Sequence, residues 1–521
     1  MNLRLSWLFS HLNGAVFILV IALCVAASQT PSGPVRITAN LGKTVHRMGG
    51  GIGASWHAIE ASIPVEGDRS HGGSGWGANP PPEDDAAWQE VYRHAGWLGL
   101  DFCRVEVEQR MYEPERGRFV WDNQEMRILY RILDWCERRN VDVFLQQMWG
   151  NTDWNAFPEF RSDPVKRVHS GPYSMEDFAD GLAALTEYLV RTRGYRCIKW
   201  LSISNEPGYD WSWWQRPPNE PMPIGPGLAA VRKALDARGL AISLSGPDWT
   251  DLPAFNAAKI DFDAYIGAYD LHSYYAAFDW LPKDGYTLAE ADKRLRDWVA
   301  WAHGRNKPLF LSEVGTMVFG WRGSNPGPGT YEAALKDAEL VIRALNIGVD
   351  GFNRWSFINR GDLDGQWQMI DTWDGARKQL LKTFAPRPNP YFVYGLLSRF
   401  TAKHSAVVQC GTEGGMVGNL QRVFAATLQS GGGETTMIVL NDAPSEWQAA
   451  FALEGIQKDI PLYKYQISTG QRDRADLKID PVRELSLSSG AGTFRDILPA
   501  SSVTIFTSYR LTHSDPGVTV N

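Results

Sequence analysis

The sequence alternates eight times between a short apolar segment and a longer amphipathic segment, from Met48 to Thr401. The apolar segments are almost continuously hydrophobic, as parallel strands covered on both faces must be. The segments between them carry apolar residues at helical spacing, for example Leu182, Leu185 and Leu189. Eight such units in succession predict an α/β fold built on a closed (β/α)8 TIM barrel. The predicted strands are 49–56, 102–107, 141–149, 199–204, 241–246, 269–275, 308–313 and 351–357.

A second pattern begins at about Ala402. Short alternating strands are separated there by Gly, Ser and Asp turns, which predicts an antiparallel β-sandwich over 402–521. One isolated strand lies before the barrel, within a linker at 29–47, and we expect it to join that sandwich. The length of 521 residues suits a large catalytic barrel at 48–401 with a smaller C-terminal domain.

The first 28 residues have the pattern of a secretory signal peptide. Arg4 supplies the positive charge, residues 15–27 are apolar, and the small residues Ala26, Ala27 and Ser28 offer a cleavage site. The apolar run is short for a membrane-spanning helix. We therefore predict a secreted or periplasmic protein with no stable membrane insertion after cleavage.

Composition narrows the possible partners. A formal net charge of -7 gives no basic surface for nucleic acid. The 22 tryptophans favour a carbohydrate partner over core packing alone, because flat aromatic faces suit sugar rings. The cysteines of the mature chain lack metal-ligand spacing, so buried free thiols are expected, with one disulfide as the alternative. They are Cys103, Cys136, Cys197 and Cys410.

Two glutamates stand at the ends of predicted strands. Glu206 ends the fourth strand, where Pro207 stops the hydrogen-bond ladder, and Glu313 ends the seventh. The carboxyl ends of barrel strands meet on one face, which is where barrel active sites form. Glycosidic bond cleavage needs one protonated and one ionised carboxyl group at such a place. Either glutamate alone could simply begin a loop, but the pair predicts a glycosidase site.

Polar residues on neighbouring strands fit the same site. Asn205 is placed to donate its side-chain amide to a substrate hydroxyl group. His272 and Tyr274 alternate on the sixth strand and therefore face the same side. The Tyr274 hydroxyl and the charge of Arg104 are expected to keep Glu313 ionised and oriented. His272 is interpreted as a supporting hydrogen-bonding residue rather than an acid or base.

Further residues are candidate substrate contacts. Trp355 is predicted to form the floor beneath a sugar ring, and Trp149 a side wall, although packing is an equal explanation for Trp149. Asp248, after the fifth strand, is a weaker candidate for contacting substrate. The tryptophans that follow Glu206 are predicted to form an acceptor platform: Trp211, Trp213 and Trp214.

These motifs resemble those of the clan A retaining glycoside hydrolases. The matching features are Ser204-Asn205-Glu206-Pro207, His272-X-Tyr274, Leu311-Ser312-Glu313-Val314-Gly315, Arg104 and Trp355. The sandwich built from a pre-barrel strand and the C-terminal region resembles glycoside hydrolase family 30, with families 5 and 39 as relatives. The resemblance implies Glu206 as acid/base and Glu313 as nucleophile. It implies no cofactor.

The expected function is hydrolysis of β-linked oligosaccharides or polysaccharides by a two-glutamate double displacement. Long loops at 64–85 and 209–226 favour exo-action on short oligosaccharides. A transglycosylase with the same glutamates is the first alternative, and a non-catalytic carbohydrate-binding barrel is a weaker one. A metal-dependent barrel is not favoured, since His57 stands alone at the end of the first strand. The sequence indicates neither the sugar nor the oligomeric state.

Overall fold

Eight parallel strands close into a barrel at the centre of the protein, which confirms the predicted TIM barrel. The computed structural model describes residues 34–58, 77–250, 252–274, 288–316 and 327–518. The predicted signal peptide and Tyr275 lie outside the described residues, as does most of the loop predicted at 64–85.

The strand before the barrel is β1 (Val35–Arg47). The barrel begins with β2 (Ile52–His57), β3 (Phe102–Glu108), β4 (Asp142–Trp149) and β5 (Ile198–Ser202). A short hairpin of β6 (Gln215–Arg216) and β7 (Glu220–Pro221) follows β5. The barrel is completed by β8 (Ser243–Trp249), β9 (Ala268–Ser273), β10 (Leu309–Val314) and β11 (Gly351–Ile358), after which β11 pairs with β2.

The helices of the barrel domain begin and end at residues suited to those positions. The Asp84 side chain accepts a hydrogen bond from the Ala87 amide at the start of the first helix, and Gly99 ends that helix with φ of 67°. Within the described residues, no helix is long and apolar enough to cross a membrane. The helices are α1 (Asp85–Leu98), α2 (Gln109–Tyr112), α3 (Gln124–Arg138), α4 (Pro164–His169), α5 (Met175–Glu187), α6 (Ile224–Ala237), α7 (Leu288–His303), α8 (Tyr331–Ile347), α9 (Gly361–Asp364) and α10 (Pro388–Ser398).

The end of the barrel opposite the strand tips is filled by aromatic rings. Phe102 and Phe310 lie 5.1 Å apart between ring centroids, and Trp200 packs edge-on against Phe310 at 4.8 Å. Gly53 lies beside this layer, where a Cβ atom would be 1.4 Å from the Phe102 carbonyl oxygen. Close packing between β2 and β3 therefore requires a glycine at position 53 of β2, the first strand of the barrel.

The C-terminal domain contains a nine-stranded sheet in which β1 lies between β14 and β19. β1 pairs antiparallel with β14 and parallel with β19, and every other pairing in the sheet is antiparallel. Two short hairpins lie outside this sheet: β12 (Ile370–Asp374) with β13 (Gln379–Pro386), and β15 (Met416–Val417) with β16 (Leu420–Gln421). The other eight strands of the sheet are β14 (Ala406–Glu413), β17 (Val423–Gln429), β18 (Thr435–Asn441), β19 (Trp447–Ile456), β20 (Ile460–Ser468), β21 (Arg483–Leu487), β22 (Gly490–Leu498) and β23 (Ser502–Thr507).

The sheet domain has its own apolar core, which includes Val35, Ile37, Phe451 and Phe506. Phe451 and Phe506 pack edge to face at 5.0 Å. The N-terminal strand thus contributes buried side chains as well as backbone pairing. Among the described residues the four cysteines are free thiols.

We predict that Ile37→Ala lowers the free energy of unfolding by about 2 to 4 kcal/mol, because it removes buried methylene groups and leaves a cavity. Arg36→Ala is the matched control, since its side chain is exposed on the opposite side of the same strand. Urea unfolding followed by tryptophan fluorescence measures both variants. Equal destabilisation by the two changes would contradict the role of the buried face of β1.

Candidate active site

The proposed site lies where the carboxyl ends of β5, β8, β9 and β10 meet, and these four strands are neighbours in the barrel. Each of them delivers a polar group at or just beyond its end. Glu206 follows β5, Asp248 lies in β8, His272 in β9 and Glu313 in β10. Residues far apart in sequence are therefore brought together by barrel closure.

Glu206 has an unusual backbone conformation, with φ of 48°. Its amide donates to Asp248 Oδ2 at 3.3 Å, which helps to hold this left-handed residue in place. Trp211 Nε1 donates to Glu206 Oε2 at 2.7 Å, and His272 Nδ1 lies 2.8 Å from Glu206 Oε1. The Glu206 side chain is 12% exposed. The Glu206 carboxyl group is therefore fixed by two hydrogen-bond partners and remains in contact with solvent.

Glu313 is buried and closely surrounded by hydrogen-bond donors. Arg104 Nη1 lies 2.7 Å from Glu313 Oε1, and the Tyr274 hydroxyl donates to Glu313 Oε2 at 2.5 Å. Burial raises the pKa of Glu313 above its ordinary value and the charge of Glu206 adds to the rise, whereas His272, Arg104 and Tyr274 favour the ionised form. The donors around Glu313 thus oppose the cost of burying its charge.

His272 connects the two glutamates. Its Nδ1 atom lies 2.8 Å from Glu206 and 3.3 Å from Glu313, and its Nε2 atom lies 3.1 Å from Asp248 Oδ1. Burial alone would lower the pKa of His272, but the charges of Glu313 and Asp248 outweigh burial and raise it well above 6.5. A protonated ring donates from both nitrogens. These contacts therefore favour the protonated form of His272, which bridges three carboxyl groups.

The two glutamates approach each other closely. One oxygen atom of Glu206, one of Glu313 and a ring nitrogen of His272 all lie within 4.8 Å of one another. Such a set has the donor types that a divalent cation uses. In this arrangement His272 contacts both glutamates, and Arg104 supplies positive charge beside Glu313. We assign no metal to the set.

Arg104 is the centre of a second buried network. It donates through Nη2 to Asn205 Oδ1 at 2.8 Å and through Nη1 to Glu106 Oε1 at 2.8 Å. Glu106 in turn lies 3.2 Å from His57 Nδ1. Burial would raise the pKa of Glu106, but His57 and Arg104 outweigh burial and lower it. Asn205 is oriented by Arg104 through its carbonyl oxygen, which leaves its amide nitrogen available as a donor.

The structure places Asp248 differently from the sequence prediction. We expected a residue beyond the fifth strand that contacts substrate, but β8 continues through Trp249 and Asp248 is fully buried. Its carboxylate contacts His272, Gln146 Nε2 at 3.2 Å and Ser312 Oγ at 3.3 Å. Asp248 therefore lies behind His272 and supports it, instead of facing the cleft.

The predicted tryptophans also separate into different groups. Trp213 and Trp214 are buried and pack against Phe178, so the acceptor platform predicted for them is wrong. Trp211 is 46% exposed and stacks on Tyr209 at 4.6 Å.

Trp149 is buried against the edge of His169, at 6.0 Å between ring centroids. Trp355 is also buried, packed against His57 at 4.7 Å, and the Arg104 guanidinium lies 5.7 Å from its ring centroid. Trp355 therefore adjoins the Arg104 network, and its buried ring does not present the open face that the predicted floor beneath a sugar ring requires.

Two buried acids of this site were not predicted. Glu106 is bound by Arg104, and Asp270 accepts from the Asp248 amide at 2.9 Å and from Ser245 Oγ at 3.1 Å. Burial and the nearby charge of Asp248 raise the pKa of Asp270 well above its ordinary value. Glu106 lies two residues after Arg104 on β3, and Asp270 lies two residues before His272 on β9. Charged residues at alternate positions of an otherwise apolar strand were the available signal.

Comparisons with known proteins support the fold. No family model matches the chain, and no curated protein sequence matches it. A GH30 endoxylanase from Clostridium papyrosolvens C71 has 14% identity and a TM-score of 0.58, over 91% of this chain and 99% of that chain. The catalytic domain of GH30 xylanase C from Talaromyces cellulolyticus has 13% identity and a TM-score of 0.56, over 91% and 99%.

An alpha-L-arabinofuranosidase from Thermotoga maritima, solved as an arabinose complex, has 14% identity and a TM-score of 0.57, over 92% of this chain and 100% of that chain. At these identities the likeness shows a shared fold, which is a (β/α)8 barrel with an attached β-sheet domain. The match extends over nearly the whole of each solved structure, so both domains are included.

We predict that Asp248→Asn lowers the pKa of His272, because it removes one of the two charges that raise that pKa. In Ser312→Ala, the matched control, a contact to Asp248 is lost but the charge is kept, so the pKa of His272 should change less. Histidine NMR signals followed against pH measure both variants. An unchanged or higher pKa in Asp248→Asn would contradict the account of His272 as a shared cation.

Proposed function

We propose that the protein is a retaining glycoside hydrolase that cleaves β-linked glycosides, with Glu206 as acid/base and Glu313 as nucleophile. The observation that carries this proposal is the approach of a Glu206 oxygen and a Glu313 oxygen to within 4.8 Å. Retaining glycosidases place their two carboxyl groups about 5 to 5.5 Å apart, whereas inverting enzymes separate them by about 6.5 to 9.5 Å.

The surroundings of each glutamate support the assignment of roles. Glu313 is contacted by a guanidinium and a phenol hydroxyl, both of which favour the ionised form that a nucleophile needs. Glu206 has no cation other than the shared His272 within 4 Å among the described residues, and it reaches solvent. A group that must exchange its proton with a leaving group and then with water needs that access.

The reaction proceeds in two displacements. Glu313 attacks the anomeric carbon while Glu206 gives its proton to the departing glycosidic oxygen, so one C–O bond forms as another breaks. Water then enters and Glu206 accepts its proton. The water oxygen displaces Glu313 from the anomeric carbon and releases the sugar with its original configuration. At each stage one of the two glutamates is negative, and His272, which contacts both, and Arg104, which contacts Glu313, stabilise that charge.

The substrate class rests on the proposed mechanism and on the similar folds. A retaining site of this type implies an equatorial β-D linkage or its α-L-arabinoside equivalent. Since the similar solved structures include proteins named as xylanases and an arabinofuranosidase, pentosides come first in a substrate panel. Exo-action on short oligosaccharides and secretion through residues 1–28 remain predictions, because most of the first loop and the leader lie outside the described residues.

We predict that Glu313→Gln abolishes turnover of every aryl glycoside that the wild-type protein cleaves. Glu206→Gln should slow substrates with poor leaving groups by about 100-fold to 10,000-fold, because such substrates need the proton. It should slow a dinitrophenyl glycoside far less, and azide should restore its turnover. Steady-state kinetics over a series of leaving groups measures these effects.

Glu220→Gln is the control for these substitutions, since it makes the same change at an exposed carboxylate on the β6–β7 hairpin. Its kinetics should match those of the wild-type protein. Residual turnover of a nitrophenyl glycoside by Glu313→Gln, at more than trace level, would show that another group is the nucleophile.

A second candidate function, transglycosylation, is favoured by one observation. Trp211 is exposed, stacks on Tyr209 and donates its indole N–H to Glu206. An aromatic face beside the acid/base is suited to hold an acceptor sugar in place of water. The same two glutamates would then pass the glycosyl group to a sugar hydroxyl.

We predict that Trp211→Ala lowers the ratio of transfer product to hydrolysis product by about threefold to tenfold, which corresponds to losing one aromatic contact. Trp211→Phe keeps an aromatic face and should retain most of that ratio, so it serves as the matched control. Chromatography of products at high substrate concentration gives the ratio. If Trp211→Ala has the wild-type ratio, Trp211 is not an acceptor platform.

A further inference from the structure

A groove on the outer surface of the barrel lies between α1 and α3. It forms a cavity of about 530 Å³ and contains four arginines but no carboxylate in its lining. The lining residues are Gln89, Tyr92, Arg93, Arg131, Trp135, Arg138 and Arg139.

The floor of this arginine groove is aromatic and fixed in position. Tyr92 stacks on Trp135 with 6.3 Å between ring centroids, and its hydroxyl donates to the Arg131 carbonyl oxygen at 2.8 Å. Burial raises the pKa of Tyr92 to about 12, against the nearby charges of Arg131 and Arg138. The aromatic floor is therefore held in place in a groove that Arg131 and Arg138 also line.

The positive charge in the groove is only partly balanced. Arg131 pairs with Asp85, and Arg93 lies 3.6 Å from Glu90. In the part of the chain that the structure describes, the exposed residues Arg138 and Arg139 have no carboxylate within 4 Å.

The two acids nearest in sequence to Arg138 and Arg139 are engaged elsewhere. Asp134 accepts from Tyr195 at 2.7 Å, and Glu137 accepts from Arg196 at 2.9 Å. The end of α3 offers only about half a negative charge through the helix dipole. Neither acid therefore forms an ion pair with Arg138 or Arg139, whose side chains are exposed, in a protein whose net charge is -7.

The groove continues into a second cavity of about 590 Å³, which shares Tyr92, Arg93 and Arg139 with the first. The second cavity extends along His94 and Trp97 to the C-terminal segment 513–516. Its one carboxylate, that of Asp515, is occupied by the Thr512 amide at 2.7 Å. Two joined cavities suit an extended chain better than a single ion.

We propose that the arginine groove binds a carboxylate-bearing polysaccharide at a site separate from the catalytic residues. Guanidinium groups bind carboxylates through paired hydrogen bonds, and they do so at repeated positions along a uronic acid chain. The positive charge of the groove is independent of the proposed function. The choice of a glycan over another polyanion rests on the proposed glycosidase function.

The location of the groove leaves the catalytic site free. Helices of the barrel run back from the strand tips, so the C-terminal ends of α1 and α3 lie at the opposite end from Glu206 and Glu313. A polysaccharide held there would leave the catalytic cleft unoccupied.

Affinity electrophoresis of the full chain through gels containing polygalacturonate tests the proposal. We expect retention at low ionic strength and little retention by a neutral β-glucan. Arg138→Ala/Arg139→Ala should weaken retention by at least about tenfold, as the loss of two charge-assisted contacts implies. Arg116→Ala/Arg118→Ala removes the same charge from the loop between α2 and α3, outside the lining of both cavities, where both arginines pair with acids, and should leave retention unchanged.

Three outcomes would overturn the proposal: no retention of the wild-type protein, equal loss in the two double variants, or equal retention by polyaspartate. Circular dichroism melting confirms that the double variants are folded. Because retention is measured without turnover, a negative result here is independent of whether Glu206 and Glu313 cleave glycosides.

Discussion

The proposed catalytic assignment depends on one buried ring, the imidazole of His272. Carboxyl oxygens of Glu206 and Glu313 lie within 4.8 Å of each other, a spacing at which two ionised carboxylates would repel each other by about 3 kcal/mol or more at an effective dielectric constant of about 20, so one proton on the pair favours the arrangement. His272 lies between them, and Asp248 holds its far nitrogen. The ring therefore lets two acids remain close enough for a double displacement while fixing both of them. Arg104 and Tyr274 then make the surroundings of the two glutamates unequal, because both contact the Glu313 carboxylate.

Barrel closure creates this arrangement from local sequence features. Each of four neighbouring strands contributes one polar residue at its carboxyl end, and the strand order alone brings them into contact. Asp248 contacts two of the other three residues, through the His272 ring and the backbone amide of Glu206. Glu206 and Asp248 both have positive φ, and each of their amides donates to a buried carboxylate, that of Asp248 for Glu206 and that of Asp270 for Asp248.

The fold and the paired glutamates were predictable because they follow from periodicity and from the ends of strands. Whether an individual side chain is buried or exposed was less predictable. Trp211 and Trp214 are three residues apart in one loop, yet one is exposed and the other is buried against α5, and that difference depends on tertiary packing. Asp248 was misplaced because β8 continues past Pro247, where proline normally ends a strand.

The most direct test of the central claim is to identify the residue that becomes glycosylated during turnover. The protein is incubated with a 2-deoxy-2-fluoro dinitrophenyl glycoside of the sugar selected by the substrate panel, and its peptides are analysed by mass spectrometry. The account predicts one label per chain, on the peptide that contains Glu313. A label on Glu206, or turnover of the substrate with no covalent intermediate, would contradict it.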